Sequence, residues 1–183
     1  PGEVVYTGLA IVELAFWDIR GKYTNLPVYK LLGGKVKDKI PAYANGWYTV
    51  ERDPKQFAEA AQRVVDKGYI GMKFDPFGNG DLELTRKEFH KSMDLIDAVA
   101  SVAGSKAQIM LELHGRFSPH QAREIANYVE KYEPAWLEEP TRPGDLPALK
   151  SVRQHTRLPI ATGERLYGSP EFRELWATES VDV

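Results

Sequence analysis

Apolar residues follow two different spacings along the chain. In residues 8–22 they recur at helical intervals, with Leu9, Val12 and Phe16 on one face, which predicts an amphipathic helix. Residues 26–34 predict a turn and a short helix that ends at a Gly-Gly pair. After them, short apolar runs alternate with longer segments of helical spacing. This alternation is typical of parallel strands connected by helices.

The alternating part contains five predicted strands and the beginning of a sixth. The predicted strands are residues 40–48, 69–75, 107–113, 134–138 and 158–163, with residues 180–183 beginning the sixth. The predicted helices are residues 54–67, 84–102, 119–131, 145–155 and 170–177. A TIM-type (β/α) barrel needs eight strands, commonly in about 250 residues. We therefore predict an α/β fold, a partial TIM-type barrel of five to six βα units, and expect the chain to be a fragment.

Two parts of the chain are expected to differ in role. Residues 1–34 would form a leading helix and its connection, and residues 35–183 the incomplete barrel. An open doubly wound sheet is the alternative fold. That fold usually carries a glycine-rich phosphate loop after its first strand, and no such loop follows Asn45. The barrel is therefore favoured.

The composition and charge exclude several classes of function. The net charge is −2 and no long basic run occurs, so no nucleic-acid partner is expected. The chain has no cysteine, which excludes disulfides, thiolate metal sites and a cysteine nucleophile. No apolar stretch reaches the roughly 18 residues of a membrane span, and the first residues lack the pattern of a secretory signal. We expect a soluble cytoplasmic protein without a membrane partner.

Three of the predicted strands have a glutamate at or next to their carboxyl end: Glu112, Glu138 and Glu164. Both intervals are 26 residues, which is one βα repeat, so the three carboxylates are expected at the same height on neighbouring strands. Because adjacent strands lie about 4.8 Å apart, the side chains could converge on one point. Their oxygens suit a hard divalent cation, Mg²⁺ before Zn²⁺. The alternative is that each acid faces solvent or caps a helix, but three carboxylates at one point would repel one another without a cation.

Several motifs then carry a family resemblance. They are LAIVELAFWDIRGK and LPVYKLLGG near the start, GYIGMKFD on the second strand, WLEEP on the fourth and ATGER on the fifth. In this order they resemble the mandelate racemase/muconate lactonizing enzyme family of the enolase superfamily, which has a (β/α)7β barrel and an N-terminal capping domain. The resemblance implies that Glu112, Glu138 and Glu164 are Mg²⁺ ligands, and that the capping domain and last strands lie outside this sequence. The ligand at the position of Glu112 is usually Asp in that family, one methylene shorter.

Residues close to these ligands distinguish the reactions of the family. His114 follows Glu112 by two positions, so strand alternation places it on the same side as a candidate general acid or base, unless it only bonds a carboxylate. ELHGRF resembles the motif of sugar-acid dehydratases, such as those acting on galactonate, in which this histidine helps the β-hydroxyl to leave. Lys73 matches the first lysine of the family's Lys-x-Lys signature. Asp75 stands where the second lysine, the base of racemases, would be.

Asp75, Lys73 and the two loop arginines each have two alternative roles. Asp75 is expected either to accept a substrate hydroxyl or to pair with Lys73. Lys73 is expected either to stabilise the enediolate oxygens by its charge or to form that pair. Arg116 and Arg165 are candidates to hold the substrate's carboxylate or hydroxyls, although loop arginines are more often simply solvated.

The fourth predicted strand offers two further side chains. Trp136 shares a face with Glu138 and is expected to fill the barrel interior. Glu139 points the opposite way and is expected to bond a neighbouring strand or loop.

We predict a Mg²⁺-dependent dehydratase of a sugar acid (an aldonate), acting through α-proton abstraction and a metal-stabilised enediolate to give a 2-keto-3-deoxy acid. By resemblance, the base is a histidine of the seventh strand paired with an aspartate of the sixth, which we expect beyond residue 183. A racemase, epimerase or cycloisomerase of the same superfamily is one alternative. A truncated, non-catalytic barrel fragment is the alternative of another class. The expected partners are a small carboxylate substrate and further copies of the chain in a homo-oligomer.

Overall fold

A computed structural model describes residues 2–183. The chain forms two compact units, one up to Pro41 and one of residues 42–183. The first unit contains helices α1 (Glu3–Thr24) and α2 (Val28–Leu31). The second unit contains, in order, α3 (Pro54–Asp66), β1 (Gly71–Phe74), α4 (Arg86–Ala103), β2 (Gln108–Glu112), α5 (Pro119–Val129), a 3₁₀ turn (Glu130–Tyr132), β3 (Leu137–Glu138), α6 (Leu146–Arg153), β4 (Ile160–Ala161) and α7 (Ser169–Ala177).

Helix α1 is longer than the predicted helix of residues 8–22. It ends where Asn25 adopts a left-handed conformation, with φ of 52°. Gly21 allows the chain to turn back there, because a Cβ at this position would lie 2.9 Å from the carbonyl oxygen of Leu26. Large apolar side chains of α1 are exposed, among them Leu9, Phe16 and Ile19.

Side-chain caps fix where the helices of the second unit begin. Four cap residues each accept a hydrogen bond from the backbone N–H three positions later: Asp53, Thr85, Ser118 and Asp145. Such a cap satisfies one of the N–H groups that the first helical turn leaves without a partner. The predicted and observed helices of this unit differ at their ends by at most two residues.

The sheet of the second unit is parallel, with its strands in chain order β1-β2-β3-β4. The helices lay apolar side chains on it, and together they form one core that includes Phe57, Met72, Ile96, Leu111 and Ile125. Parallel neighbours in chain order with helical connections are the arrangement expected for consecutive βα units of a barrel. The carboxyl ends of all four strands therefore lie on the same edge.

The predicted strands are longer than those of the structure: β3 and β4 have two residues each, and the two outermost predicted strands form no ladder. The strand expected at residues 40–48 is reduced to a single parallel bridge between Ala44 and Met72. Pro41 has no N–H to donate and Gly46 has a φ of 68°, which limits how far a strand could extend on either side of Ala44. Residues 180–183 carry no strand, although Asp182 and Val183 both donate backbone hydrogen bonds to the carbonyl of Ile160.

Within residues 2–183, the helices are either too short or too polar to cross a membrane.

Candidate metal centre

The first two predicted ligands end neighbouring strands in register. Glu112 is the last residue of β2, Glu138 the last of β3, and the two are direct partners in the ladder. Glu112 is 3% exposed and Glu138 is half-buried. The short interstrand spacing thus brings two carboxylates together at the carboxyl edge of the sheet, where the active sites of parallel barrels are built.

The third ligand reaches the same point by another route. The expectation of equal height is wrong for Glu164, because the ladder pairs Glu138 with Ala161, three residues earlier. Thr162 and Gly163 follow β4, and the φ of 129° at Gly163 favours glycine. They lead into a turn with Glu164 at its centre, closed by a hydrogen bond from the N–H of Leu166 to the carbonyl of Gly163, and we call residues 162–166 the β4 turn. One carboxylate oxygen from each of the three glutamates lies within 4.8 Å of the other two.

Lys73 lies between the two buried carboxylates. Its Nζ donates to Glu112 at 2.9 Å and also to Glu138. Burial tends to lower the pKa of Lys73, but its hydrogen bonds with both glutamates outweigh that effect and raise the pKa above its usual value. The ammonium is therefore charged and shared by two candidate ligands. The reading in which Lys73 pairs with Asp75 is wrong, since Lys73 bonds the two glutamates instead.

The two carboxylates respond differently to this shared cation. Burial raises the pKa of Glu112 above its ordinary value, even though Lys73 and the backbone N–H of His114 both donate to it. Burial acts on Glu138 in the same direction, but the hydrogen bonds from Lys73 and Trp136 prevail and lower its pKa. Glu138 therefore carries the more firmly held negative charge of the pair.

The donor set fits a hard divalent cation. Lys73 compensates only part of the charge of three carboxylates, and Arg165 lies 3.5 Å from the third, at the exposed side of Glu164. A remaining negative charge, supplied by oxygen ligands alone, suits Mg²⁺ better than it suits a metal that prefers nitrogen or sulfur.

His114 lies beside the cluster and is oriented by Asp75. The ring Nδ1 is 2.8 Å from a carboxylate oxygen of Asp75 and 3.9 Å from Glu112. The backbone of His114 is left-handed, with φ of 54°, so the chain turns immediately after β2. A bond at Nδ1 directs Nε2 away from Asp75, and the side chain is 45% exposed. This is the geometry of a ring held at one nitrogen and accessible at the other.

The two candidate arginines are tied to the loops around His114. Arg116 donates to Asp75 at 2.7 Å, to the carbonyl of Gly78 at 2.6 Å and to that of Leu113. Arg116 is half-buried, so the alternative that it is a simply solvated loop arginine is wrong. Arg165 donates to the carbonyl of His114 at 3.1 Å. The structure therefore places Asp75, His114 and Arg116 in one hydrogen-bonded group next to the three glutamates.

Residues on either side of Glu138 support the ligands. The indole N–H of Trp136 donates to Glu138 at 2.8 Å, a contact that the prediction of a simple interior filler missed. The signal was in the sequence, because two residues apart on a strand share a face. Glu139 accepts from the hydroxyl of Thr162 and the N–H of Gly163, so its predicted bond to a neighbouring loop is confirmed.

Comparison with known protein families agrees with this arrangement. The profile described as "Enolase C-terminal domain-like" matches residues 56–183. The chain belongs to this family, and the resemblance to its mandelate racemase/muconate lactonizing branch is confirmed.

Solved structures have the same fold. The crystal structure of a Mesorhizobium loti protein described as a dehydratase aligns with a TM-score of 0.95 at 32% identity, covering 99% of this chain and 49% of that chain. A mandelate racemase/muconate lactonizing enzyme-like protein from Roseovarius sp. TM1035 has a TM-score of 0.86 at 32% identity, over 93% of this chain and 46% of that chain. The predicted partial barrel is thereby also confirmed.

The curated relatives include sugar-acid dehydratases. The D-gluconate dehydratase of Thermoproteus tenax is 40% identical over 177 residues, which are 97% of this chain and 36% of the relative. The D-xylonate dehydratase of Haloferax volcanii is 32% identical over 190 aligned residues, covering 100% of this chain and 46% of the relative. The chain thus spans less than half the length of both relatives.

Proposed function

We propose that this chain forms the metal-binding half of the active site of a Mg²⁺-dependent sugar-acid dehydratase. The observation that carries the proposal is the convergence of Glu112, Glu138 and Glu164 beside a histidine held by Asp75. The dehydratase names of the relatives support the choice of reaction. Gluconate, galactonate and xylonate, named for those relatives, define the class of substrate to test.

Each polar residue has a distinct task in this proposal. Mg²⁺ held by the three glutamates would supply a Lewis acid for the substrate's carboxylate, whose α-proton is otherwise far too weakly acidic to leave. Lys73 holds two of the glutamates in place and adds positive charge next to the developing enediolate. The α-proton acceptor is assigned to a residue outside this chain.

His114 is proposed to be the general acid. Asp75 fixes the ring through Nδ1, so Nε2 faces the open side and donates a proton to the departing β-hydroxyl, which leaves as water. The resulting enol rearranges to the 2-keto-3-deoxy acid. Arg116 keeps Asp75 in position, and Arg165 is placed to contact the substrate at the exposed rim.

The decisive experiment is an assay of the full-length protein with D-gluconate, D-galactonate and D-xylonate. We expect a 2-keto-3-deoxy acid from at least one of them with Mg²⁺, and no product with EDTA. Exchange of the α-hydrogen for deuterium without loss of water would instead support the racemase or cycloisomerase alternative. No reaction with any acid sugar, in protein that binds Mg²⁺, would count against the dehydratase.

The role of His114 is tested by His114→Asn. We expect dehydration to slow by about 100-fold or more, as for the loss of a general acid, while Mg²⁺ affinity is kept. The matched control is His155→Asn, because His155 is exposed and its ring bonds only the neighbouring carbonyl of Ser151 among the contacts described. Its activity should equal that of the unchanged protein. Normal dehydration by His114→Asn would refute the assignment.

We further propose that the intact protein is a cytoplasmic homo-oligomer. The exposed apolar side chains of α1 support a contact with another protein surface, since large apolar patches are rarely left to water. Light scattering of the full-length protein after size exclusion tests this, and a monomer would contradict it.

A further inference from the structure

Glu139 has more connections to the site than any role so far assigned to it requires. It is 3% exposed, although it carries a carboxylate, and it directly follows Glu138. One carboxylate oxygen accepts both from the hydroxyl of Thr162 at 2.7 Å and from the N–H of Gly163 at 2.9 Å. Both donors lie at the start of the β4 turn, directly before Glu164.

The backbone of Glu139 connects the same loops. Its N–H donates to the carbonyl of Ala161 at 2.9 Å, and its carbonyl accepts from the N–H of Gly115 at 2.7 Å. Its φ is 47°, a left-handed conformation that costs a non-glycine residue about 1 kcal/mol or more. Such strain persists where surrounding contacts hold it, and here one residue joins the loops that follow β2, β3 and β4.

This connection matters because the sheet does not place the third ligand. The ladder ends with Glu138 opposite Ala161, and Glu164 lies three residues further on. Two side-chain hydrogen bonds connect Glu139 to Thr162 and Gly163, the residues that directly precede Glu164. A buried carboxylate that accepts two hydrogen bonds is costly to dislodge, so the turn is held firmly.

We propose that Glu139 is a positioning residue for the metal centre, acting through Thr162 and Gly163 at the start of the β4 turn to hold Glu164 within reach of the cation. The inference rests on the proposed Mg²⁺ site, but not on the proposed reaction. It assigns Glu139 no contact with substrate or metal. Its effect is on the affinity for the cation, through one ligand of three.

The test measures Mn²⁺ binding to the full-length protein, by calorimetry or by electron paramagnetic resonance of free Mn²⁺. We expect Glu139→Ala to weaken binding by up to about 10-fold, the lower end of the usual cost of removing a group that orients a metal ligand, and by no more than the loss of the Glu164 charge. Glu139→Gln keeps an acceptor oxygen for both donors and should restore affinity to within about threefold of the unchanged protein. Thr162→Val, which removes one donor and leaves Glu139 intact, should give a smaller loss than Glu139→Ala.

A double variant separates positioning from general destabilisation. In a Glu164→Gln background the effect of Glu139→Ala on Mn²⁺ affinity should largely disappear, because the ligand through which it acts is already altered. The matched control is Asp182→Asn. Asp182 accepts from the N–H of Ile160 at 2.9 Å and so supports β4 at its opposite end. That variant should lower thermal stability without changing Mn²⁺ affinity.

The outcomes distinguish this inference from the proposed activity. Unchanged Mn²⁺ affinity in folded Glu139→Ala, or a full additional loss in the Glu164→Gln background, would overturn the positioning role. An equal loss in Asp182→Asn would also overturn it, since the effect would then be structural. Protein that binds Mn²⁺ with the expected pattern but dehydrates no sugar acid would refute only the proposed reaction. Protein without Mn²⁺ binding would refute the metal site and this inference together.

Discussion

The first two carboxylates of the metal centre and the third are held by different means. Glu112 and Glu138 are ladder partners, so the hydrogen bonds of the sheet set the distance between them, and Lys73 joins their side chains. Glu164 lies outside the ladder, its side chain is 47% exposed, and its position depends on a turn that Glu139 holds. The comparison teaches that a barrel can combine a rigid pair of ligands with one that loop contacts adjust.

The largest effect is expected from removing the Lys73 ammonium, which joins Glu112 and Glu138, the rigid pair of ligands. Lys73→Met would leave Glu112 and Glu138 buried without a partner of opposite charge, and should lower the free energy of unfolding in EDTA by about 3–5 kcal/mol. Added Mg²⁺ should recover part of this loss, because it binds the same oxygens. Denaturant unfolding of the full-length protein with and without Mg²⁺ measures both effects.

The control for Lys73→Met is Lys22→Met. Lys22 pairs with Asp18 on the exposed surface of α1, and an exposed pair contributes about 0.5 kcal/mol or less. If Lys73→Met cost no more than this control, the rigid pair would not depend on its ammonium.

The next effect compares the two kinds of ligand directly. Glu112→Gln should weaken Mn²⁺ binding by more than about 100-fold and Glu164→Gln by about 10-fold, because charge interactions weaken as solvent exposure increases. Titration calorimetry on the two variants gives the ratio. A larger loss for Glu164→Gln would reverse the comparison and make the turn-held ligand the stronger one.

A smaller effect should come from the turn itself. Gly163 has a φ of 129°, and a Cβ added there would lie 3.2 Å from the ring of Phe172, so Gly163→Ala should cost about 1–3 kcal/mol of stability. It should also weaken Mn²⁺ binding, since Glu164 is the next residue. Gly144→Ala is the control. Gly144 also has a positive φ, of 79°, but a Cβ added there would contact nothing within 4 Å. Equal stability and equal affinity in the two variants would contradict a special role for this turn.

Much of the fold could be predicted because local patterns determine it. The predicted helices of the second unit are present, and four of them follow an Asp, Ser or Thr, the residue types that cap helices well. The apolar strands between them are buried as their composition indicates. The outer strands could not be bounded in this way. Whether residues near Ala44 extend a ladder depends on which partner offers hydrogen bonds, and that is a property of the assembled sheet.

The candidate site divides along the same line. Equal 26-residue steps brought Glu112 and Glu138 together correctly, because both end a strand. The interval from Glu138 to Glu164 is also 26 residues, but Glu164 is not the ladder partner of Glu138, because the last three residues of that interval lie beyond β4. The partners of Lys73 were missed for a related reason. A side chain this long can reach either the strand-end Asp75 or the neighbouring strands, and only the packed structure decides between them.

The contact between Trp136 and Glu138 has a practical consequence. An indole whose N–H is bonded to a carboxylate emits light at a wavelength that depends on the local electric field, and that field changes whenever the charge on Glu138 is redistributed. Trp136 is one of four tryptophans in these 183 residues, so its share of the emission is identified by comparing the protein with its Trp136→Phe variant. The protein would then carry its own optical reporter, one hydrogen bond away from a candidate ligand, with no dye or label required.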